Sequence, residues 1–174
     1  MAIGGAEDKV GSTTVLRRFV AEAGGLSARI VVCATASALG PEIVELYQEV
    51  FTRLGAADVA SARPGDRREA NDPDLADMVD HASGVFFTGG NQLKLASTIR
   101  GTHVGDAVMA AYRAGALVGG TSAGASVVSE HMVAYGTAGA SPKFRMAGLA
   151  QGLGLLHGVI IDQHFGHEPA RVVA

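Results

Sequence analysis

Short apolar runs alternate along this chain with stretches in which apolar residues recur at helical spacing. Ile3 reads as the tail of a strand that Gly4-Gly5 turns. Behind Ser12, a residue suited to cap a helix, Val15, Leu16, Phe19 and Val20 mark one face of a helix running to about Ala23, closed by Gly24-Gly25. Arg29–Thr35 is a continuous apolar run of strand length, the pattern of a parallel strand covered on both faces. Pro41 opens the next helix at its first turn. Ile43, Leu46, Tyr47, Val50, Phe51 and Leu54 form its buried stripe, and Gly55 ends it. Asp58–Ser61 is a short strand and Ala62–Asn71 a polar, Arg-rich loop. Asp72-Pro73 restarts a helix carrying Leu75, Met78 and Val79. Then follow a strand (Gly84–Thr88), helices at Asn91–Arg100 and Asp106–Ala114, a strand (Ala116–Gly120), a helix (Ala123–Met132) and a last strand (Gly158–Asp162).

Strands and helices that alternate across glycine-marked joints predict an α/β fold, a doubly wound, mainly parallel sheet with helices on both faces. No repeat or linker divides residues 1–174, so one α/β domain is expected. It is read as incomplete, because the first strand has almost no residues before Gly4 and no helix follows Asp162 to cover its strand. Composition narrows the function. A formal net charge of −3 argues against a nucleic-acid binder that works by neutralising phosphates. With 48% hydrophobic residues the chain is not intrinsically disordered. No run reaches the ~18 apolar residues of a membrane span, and the first residues lack a signal-peptide pattern. The lone Cys33, in an apolar run, is expected to be a reduced core thiol, so a soluble cytoplasmic protein is expected.

The strongest chemical signal is Gly120-Thr121-Ser122-Ala123-Gly124, a G-x-S-x-G segment set between an apolar strand and a helix. In that context the turn is a nucleophile elbow: it lifts the serine hydroxyl above the carboxyl edge of the sheet. A second glycine turn, Thr88-Gly89-Gly90-Asn91-Gln92, follows the neighbouring strand and opens on the same edge, where doubly wound folds bind ligands. The N–H of Ala123 and that of Gly90 or Asn91 would hold an oxyanion, and Gln92 would reach the substrate.

A serine nucleophile needs a base. His81 sits at a helix end, His103 in a loop, and His157 before its strand. At a rise of ~1.5 Å per residue His131 lies about 13 Å along the elbow helix from Ser122. His164 ends the last strand and emerges at the carboxyl edge, with His167 as a local competitor. The orienting acid is less defined. Glu130 falls about 12 Å along the same helix, whereas Asp162 shares a strand face with His164 and either orients it or binds a cationic substrate group.

The segments IGGAEDK (Ile3–Lys9), NDP (Asn71–Pro73), FFTGGNQLKL (Phe86–Leu95), GGTSAGA (Gly119–Ala125), GLGLL (Gly152–Leu156) and IIDQHF (Ile160–Phe165) together resemble the cyanophycinase family, serine peptidases related to aspartyl dipeptidase. The resemblance implies a class I glutamine amidotransferase-like (flavodoxin-like) fold. It implies Ser122 as nucleophile and His164 as base, with Gln92, Asp162 and Gln163 lining the substrate pocket. The implied substrate is cyanophycin, a polyaspartate with arginine on each side-chain carboxyl, cut to β-Asp-Arg dipeptides. No metal or organic cofactor is implied, and a homodimer is a family-level expectation. The family's arginine-rich run after DQHF is replaced here by Gly166-His167-Glu168-Pro169-Ala170-Arg171, and Thr137–Pro142 holds no acid. The chain therefore reads as a truncated relative. An aspartyl dipeptidase-like hydrolase of small acidic peptides and a non-catalytic relative stand as the alternatives.

Overall fold

The computed structural model describes residues 1–136 and 147–163. A five-stranded sheet forms its centre: β1 (Ala2–Ile3), β2 (Arg29–Cys33), β3 (Asp58–Ala62), β4 (Gly84–Phe87) and β5 (Leu117–Thr121), in the spatial order β1-β5-β4-β2-β3. Every pairing in it is parallel. Helices α1 (Thr14–Glu22), α2 (Pro41–Arg53), α3 (Pro73–Asp80), α4 (Gln92–Ile99), α5 (His103–Arg113) and the single turn α6 (Ala123–Ser126) fill the connections. A two-stranded antiparallel hairpin, β6 (His131–Gly136) with β7 (Ala147–Gln151), stands apart from the main sheet.

Alternation along the strands divides the core into two layers, as the pleat requires. Ile30, Val32 and Phe86 face α1 and α2, where they meet Leu16, Phe19, Tyr47, Val50 and Phe51. Val31, Cys33, Val85, Phe87 and Val118 face the other way and pack on Val79, Leu95, Ile99, Val104 and Val108. With no tryptophan available, Phe86 is the hub of the first layer. Its ring lies 5.1 Å from Phe19, 4.9 Å from Tyr47 and 5.1 Å from Phe51, centroid to centroid. The doubly wound parallel architecture expected from the pattern is the one observed. Cys33 is a buried free thiol, and burial pushes its pKa up to about 11.

Local signals placed several helix ends. Asp72 caps α3 by accepting from the Asp74 N–H at 2.9 Å, and Pro73 occupies the first turn. Asn91 caps α4, its side chain accepting from Lys94 N–H at 2.9 Å. The α5 helix starts at His103, earlier than expected, because the Thr102 side chain caps it.

Two expected elements are absent from the described residues. The predicted helix Ala123–Met132 ends after one turn and the chain enters β6 instead. The carbonyls of Val127 and Val128 accept from Leu153 N–H at 2.7 Å and Leu155 N–H at 2.9 Å, so a tertiary partner replaces the helical one. The predicted strand Gly158–Asp162 is irregular. It pairs with no strand of the sheet, and Gly158 turns at φ +71°.

Strand order reverses between β2 and β4, so the crevice at their carboxyl ends is the expected ligand side. Next to it, β4 and the turn after β5 approach too closely for any side chain. A Cβ on Gly124 would lie 2.2 Å from the Phe87 carbonyl oxygen, and one on Gly120 would lie 2.5 Å from it.

Phe86→Ala should cost about 3–5 kcal/mol by opening a cavity among three rings, read as a drop in the urea midpoint. Gly124→Ala should destabilise more than Gly101→Ala in the same assay. The first drives a methyl into backbone, whereas Gly101 has open space and only its φ of +63° to oppose a side chain.

Candidate active site

Ser122 is half-buried at the end of β5, with φ 52° and ψ −115°. A non-glycine residue at positive φ costs on the order of 1–3 kcal/mol and persists only where its surroundings over-determine it. Three bonds do so. The Ser122 N–H donates to Ile3 O at 2.9 Å, and its carbonyl accepts from Ala125 N–H at 2.9 Å and Ser126 N–H at 3.0 Å. The geometry is that of a nucleophile elbow, reached strand first and helix after, as the G-x-S-x-G spacing predicts. Because α6 is a single turn, its dipole adds little, and the Ala123 N–H at its start is the expected oxyanion donor there.

The second glycine turn comes up beside it. A Cβ built on Gly89 would lie 3.4 Å from Ser122 Cβ and 3.8 Å from its Oγ, so only hydrogen separates the two turns. Gly90 has φ +142°, and a Cβ there would fall 2.1 Å from Ala36 O. Asn91 N–H donates to that same Ala36 carbonyl at 2.9 Å. Of the two alternatives for the second oxyanion donor, Asn91 is thus committed elsewhere and Gly90 is left as the candidate. Gln92 is half-buried, and its Nε2 donates to Val133 O at 3.0 Å, tying α4 to the β6 strand.

The segment that ends the described residues closes the third side. Ser122 Oγ donates to Gln163 Oε1 at 2.9 Å, and Asp162 beside it is half-buried. Gln163 therefore reaches the serine from an irregular segment, not from a strand end. Asp162 is in no strand, and the expectation that it shares a strand face with His164 falls on a residue outside those described. His164 lies outside the described residues, as do His167, Glu168, Arg171 and residues 137–146.

The other histidines sit away from this constellation. His81 Nδ1 lies 2.9 Å from Asp77 O at the end of α3, and His103 Nδ1 lies 3.0 Å from Asn71 O. His157 pairs on the surface with Glu130 at 3.2 Å. The distances assigned to His131 and Glu130 along a helix do not apply, since His131 begins β6 and Glu130 precedes it.

One residue at the site carried no role in the sequence reading. Glu7, in the loop after β1, has a side chain only 2% exposed. Its Oε2 accepts from Thr121 Oγ1 at 2.5 Å, and its Oε1 accepts from the Tyr47 hydroxyl and from Lys9 Nζ at 2.8 Å. Burial alone would raise the Glu7 pKa, but the bonds from Lys9, Thr121 and Tyr47 outweigh it and the carboxyl titrates below its ordinary range. Burial and the neighbouring carboxylate push the Tyr47 hydroxyl well up. The available signal was an acid and a lysine two residues apart in the loop that leaves the strand beside the elbow. Asp8, next along the chain, is exposed and orders that loop by accepting from the N–H groups of Val10, Gly11 and Thr13, which hold its pKa far below the usual carboxylate range.

Among the described residues no group of three or more His, Cys, Asp or Glu side chains could hold a metal ion, and no helix is long and apolar enough to cross a membrane. Among the described residues the arrangement brings the Ser122 hydroxyl, the Gln163 amide and the backbone of two glycine turns together at one edge of the sheet.

A cyanophycinase of Geminocystis herdmanii (strain PCC 6308) is 38% identical over 166 residues, 95% of this chain and 61% of the relative. A cyanophycinase of Synechococcus elongatus is 37% identical over 166 residues, again 95% of this chain but 52% of the relative. The chain thus spans a little over half the length of these curated relatives. The crystal structure of a peptidase from an acI-B1 Actinobacterium superposes with a TM-score of 0.73 at 22% identity, covering 94% of this chain and 67% of that one, a likeness of fold. The family model for peptidase family S51 matches residues 1–172, and with it the elbow, the glycine turn and the segment that reaches Ser122: the chain belongs to peptidase family S51.

Proposed function

We propose that this chain acts as a serine-type exopeptidase on cyanophycin, releasing β-Asp-Arg dipeptides through an acyl-enzyme on Ser122. The observation that carries the reading is the strained Ser122 between the Gly89-Gly90 turn and Gln163, whose successor in the chain is His164. The 37–38% identity to cyanophycinases over 95% of the chain supports the substrate class.

In this reading the Ser122 hydroxyl rests on the Gln163 amide oxygen, an acceptor that cannot take its proton. Reaction starts when the proton passes to an imidazole nitrogen of His164 while Oγ bonds to the scissile carbonyl carbon. The oxygen of the tetrahedral intermediate takes hydrogen bonds from Gly90 N–H and Ala123 N–H. Collapse breaks the C–N bond, and the amine leaves with the proton carried by His164. Water then gives a proton to His164, attacks the ester carbon, and Ser122 recovers its proton as the acid departs. Gln92, Asp162 and Gln163 line the pocket, with Asp162 suited to an arginine guanidinium.

A second reading, hydrolysis of small aspartyl peptides, is favoured by one sequence fact: residues 166–171 contain Glu168 and a single arginine, a poor clamp for a polyaspartate. We infer a cytoplasmic setting from the lone, buried thiol of Cys33. A homodimer is proposed on the resemblance, to be tested by sedimentation equilibrium.

Incubation of the chain with cyanophycin should release aspartyl-arginine, detected by mass spectrometry, and Ser122→Ala should lower the rate by about a thousandfold or more. Release from small β-aspartyl peptides without release from the polymer would replace the first reading by the second. Equal rates for parent and Ser122→Ala would overturn both. Gln163→Ala should raise KM more than it lowers kcat, since in this reading the amide lines the substrate pocket and takes no proton; a fall confined to kcat would contradict that role.

A further inference from the structure

We infer that Glu7 is a positioning residue for the nucleophile: acting through the Thr121 hydroxyl, its carboxylate holds the residue before Ser122 and so keeps the elbow in its strained backbone. The inference rests on Ser122 being the nucleophile. It does not make Glu7 a catalytic residue, because its contact is to Thr121 and not to the reacting atom.

Four observations converge. The carboxylate is held at both oxygens by donors from three parts of the chain: Lys9 from its own loop, Tyr47 from α2 and Thr121 from the end of β5. A carboxylate bonded in this way cannot rotate. Tyr47 is itself fixed, 2% exposed, stacked on Phe51 and packed at a tilt against Phe86. Thr121 is 4% exposed and lies opposite Ile3 in the β1–β5 register. Finally, the Ser122 N–H donates to Ile3 O at 2.9 Å. One short stretch, residues 3–7, therefore grips both the side chain before the nucleophile and the nucleophile's own amide. A buried carboxylate is a costly way to fill space unless its bonds do something an apolar side chain would not. Here they set the direction of Thr121, one peptide away from a serine at φ 52°.

The test separates hydroxyl from bulk and positioning from stability. Parent, Thr121→Val, Thr121→Ser, Glu7→Gln and the double variant Glu7→Gln/Thr121→Val are compared in three measurements. These are the second-order rate of labelling by a fluorophosphonate, followed by intact mass; thermal midpoint; and amide hydrogen exchange across residues 119–126. Thr121→Val should label about ten to a hundredfold more slowly, the scale of a small misplacement of a reacting group, while Thr121→Ser stays within about twofold of the parent. Glu7→Gln should match Thr121→Val, and the double variant should be no slower than either, because both remove the same contact. Exchange at residues 122–125 should rise in Thr121→Val and Glu7→Gln with β2 unchanged.

Parent-like labelling with parent-like exchange in Thr121→Val, whatever its midpoint, overturns the inference, as does a Thr121→Ser as slow as Thr121→Val. If the parent itself does not label, the nucleophile reading fails. Exchange alone then decides the clamp, with faster exchange at 122–125 supporting it and unchanged exchange ending it. Should Glu7→Gln fail to fold, the Thr121→Val and Thr121→Ser pair still separates these outcomes.

Discussion

The positive φ of Ser122 is the constraint around which the rest of the site is built. Left alone, that backbone would relax, since a β-carbon at φ 52° is crowded by its own carbonyls. It stays because β5 is gripped on both sides before the turn, by β1 at Gly120 and Thr121 and by β4 at Gly119 and Gly120. The turn passes over the Phe87 carbonyl, a route open only to residues without a side chain at positions 120 and 124. A strain of about 1–3 kcal/mol is offset by a handful of hydrogen bonds worth roughly 0.5–1.5 kcal/mol each. The stored energy is therefore local, and its support comes from strands that run through the whole sheet.

This explains why the two glycine turns belong to one device. The Phe87 carbonyl that excludes side chains at Gly120 and Gly124 belongs to the last residue of β4, and the chain continues from it into Thr88-Gly89-Gly90. Packing at the end of β4 thus sets the elbow and the facing turn together. The same strand contributes Phe86 to one layer and Phe87 to the other. Core order in both layers is transmitted to the site through a single four-residue strand.

Much of this was legible in the sequence because it is written in local rules. Asp72 and Asn91 declare helix starts by their own hydrogen bonds, and the strands at Arg29, Gly84 and Ala116 declare themselves by unbroken apolar runs. The Gly-x-Ser-x-Gly spacing carries its own geometry. What escaped was written in pairing. Residues 127–130 continue a helical pattern, yet their carbonyls are taken by Leu153 and its neighbours, some 25 residues on. The strand partner Ala147–Gln151 (AGLAQ) shows no alternation that would announce it. Conversely, Val159-Ile160-Ile161 has strand composition but joins neither edge of the sheet, and Val159 is left 50% exposed. Apolar periodicity reports burial; it does not report which backbone groups find partners.

Glu7 is the instructive case, because its role depends on contacts that no spacing rule encodes. Its three donors come from positions 9, 47 and 121. Desolvating a carboxylate is expensive, and a hydrogen bond to a charged group returns roughly 1.5–3 kcal/mol. Three such bonds can offset the penalty, but any one lost would leave a buried charge short of partners. That all-or-none character gives direction as well as stability: the acid tolerates only the arrangement in which β1, α2 and the end of β5 meet together. An apolar side chain in its place would accept many. The loop after the first strand thus contributes to the site by removing alternatives for the residue that precedes Ser122.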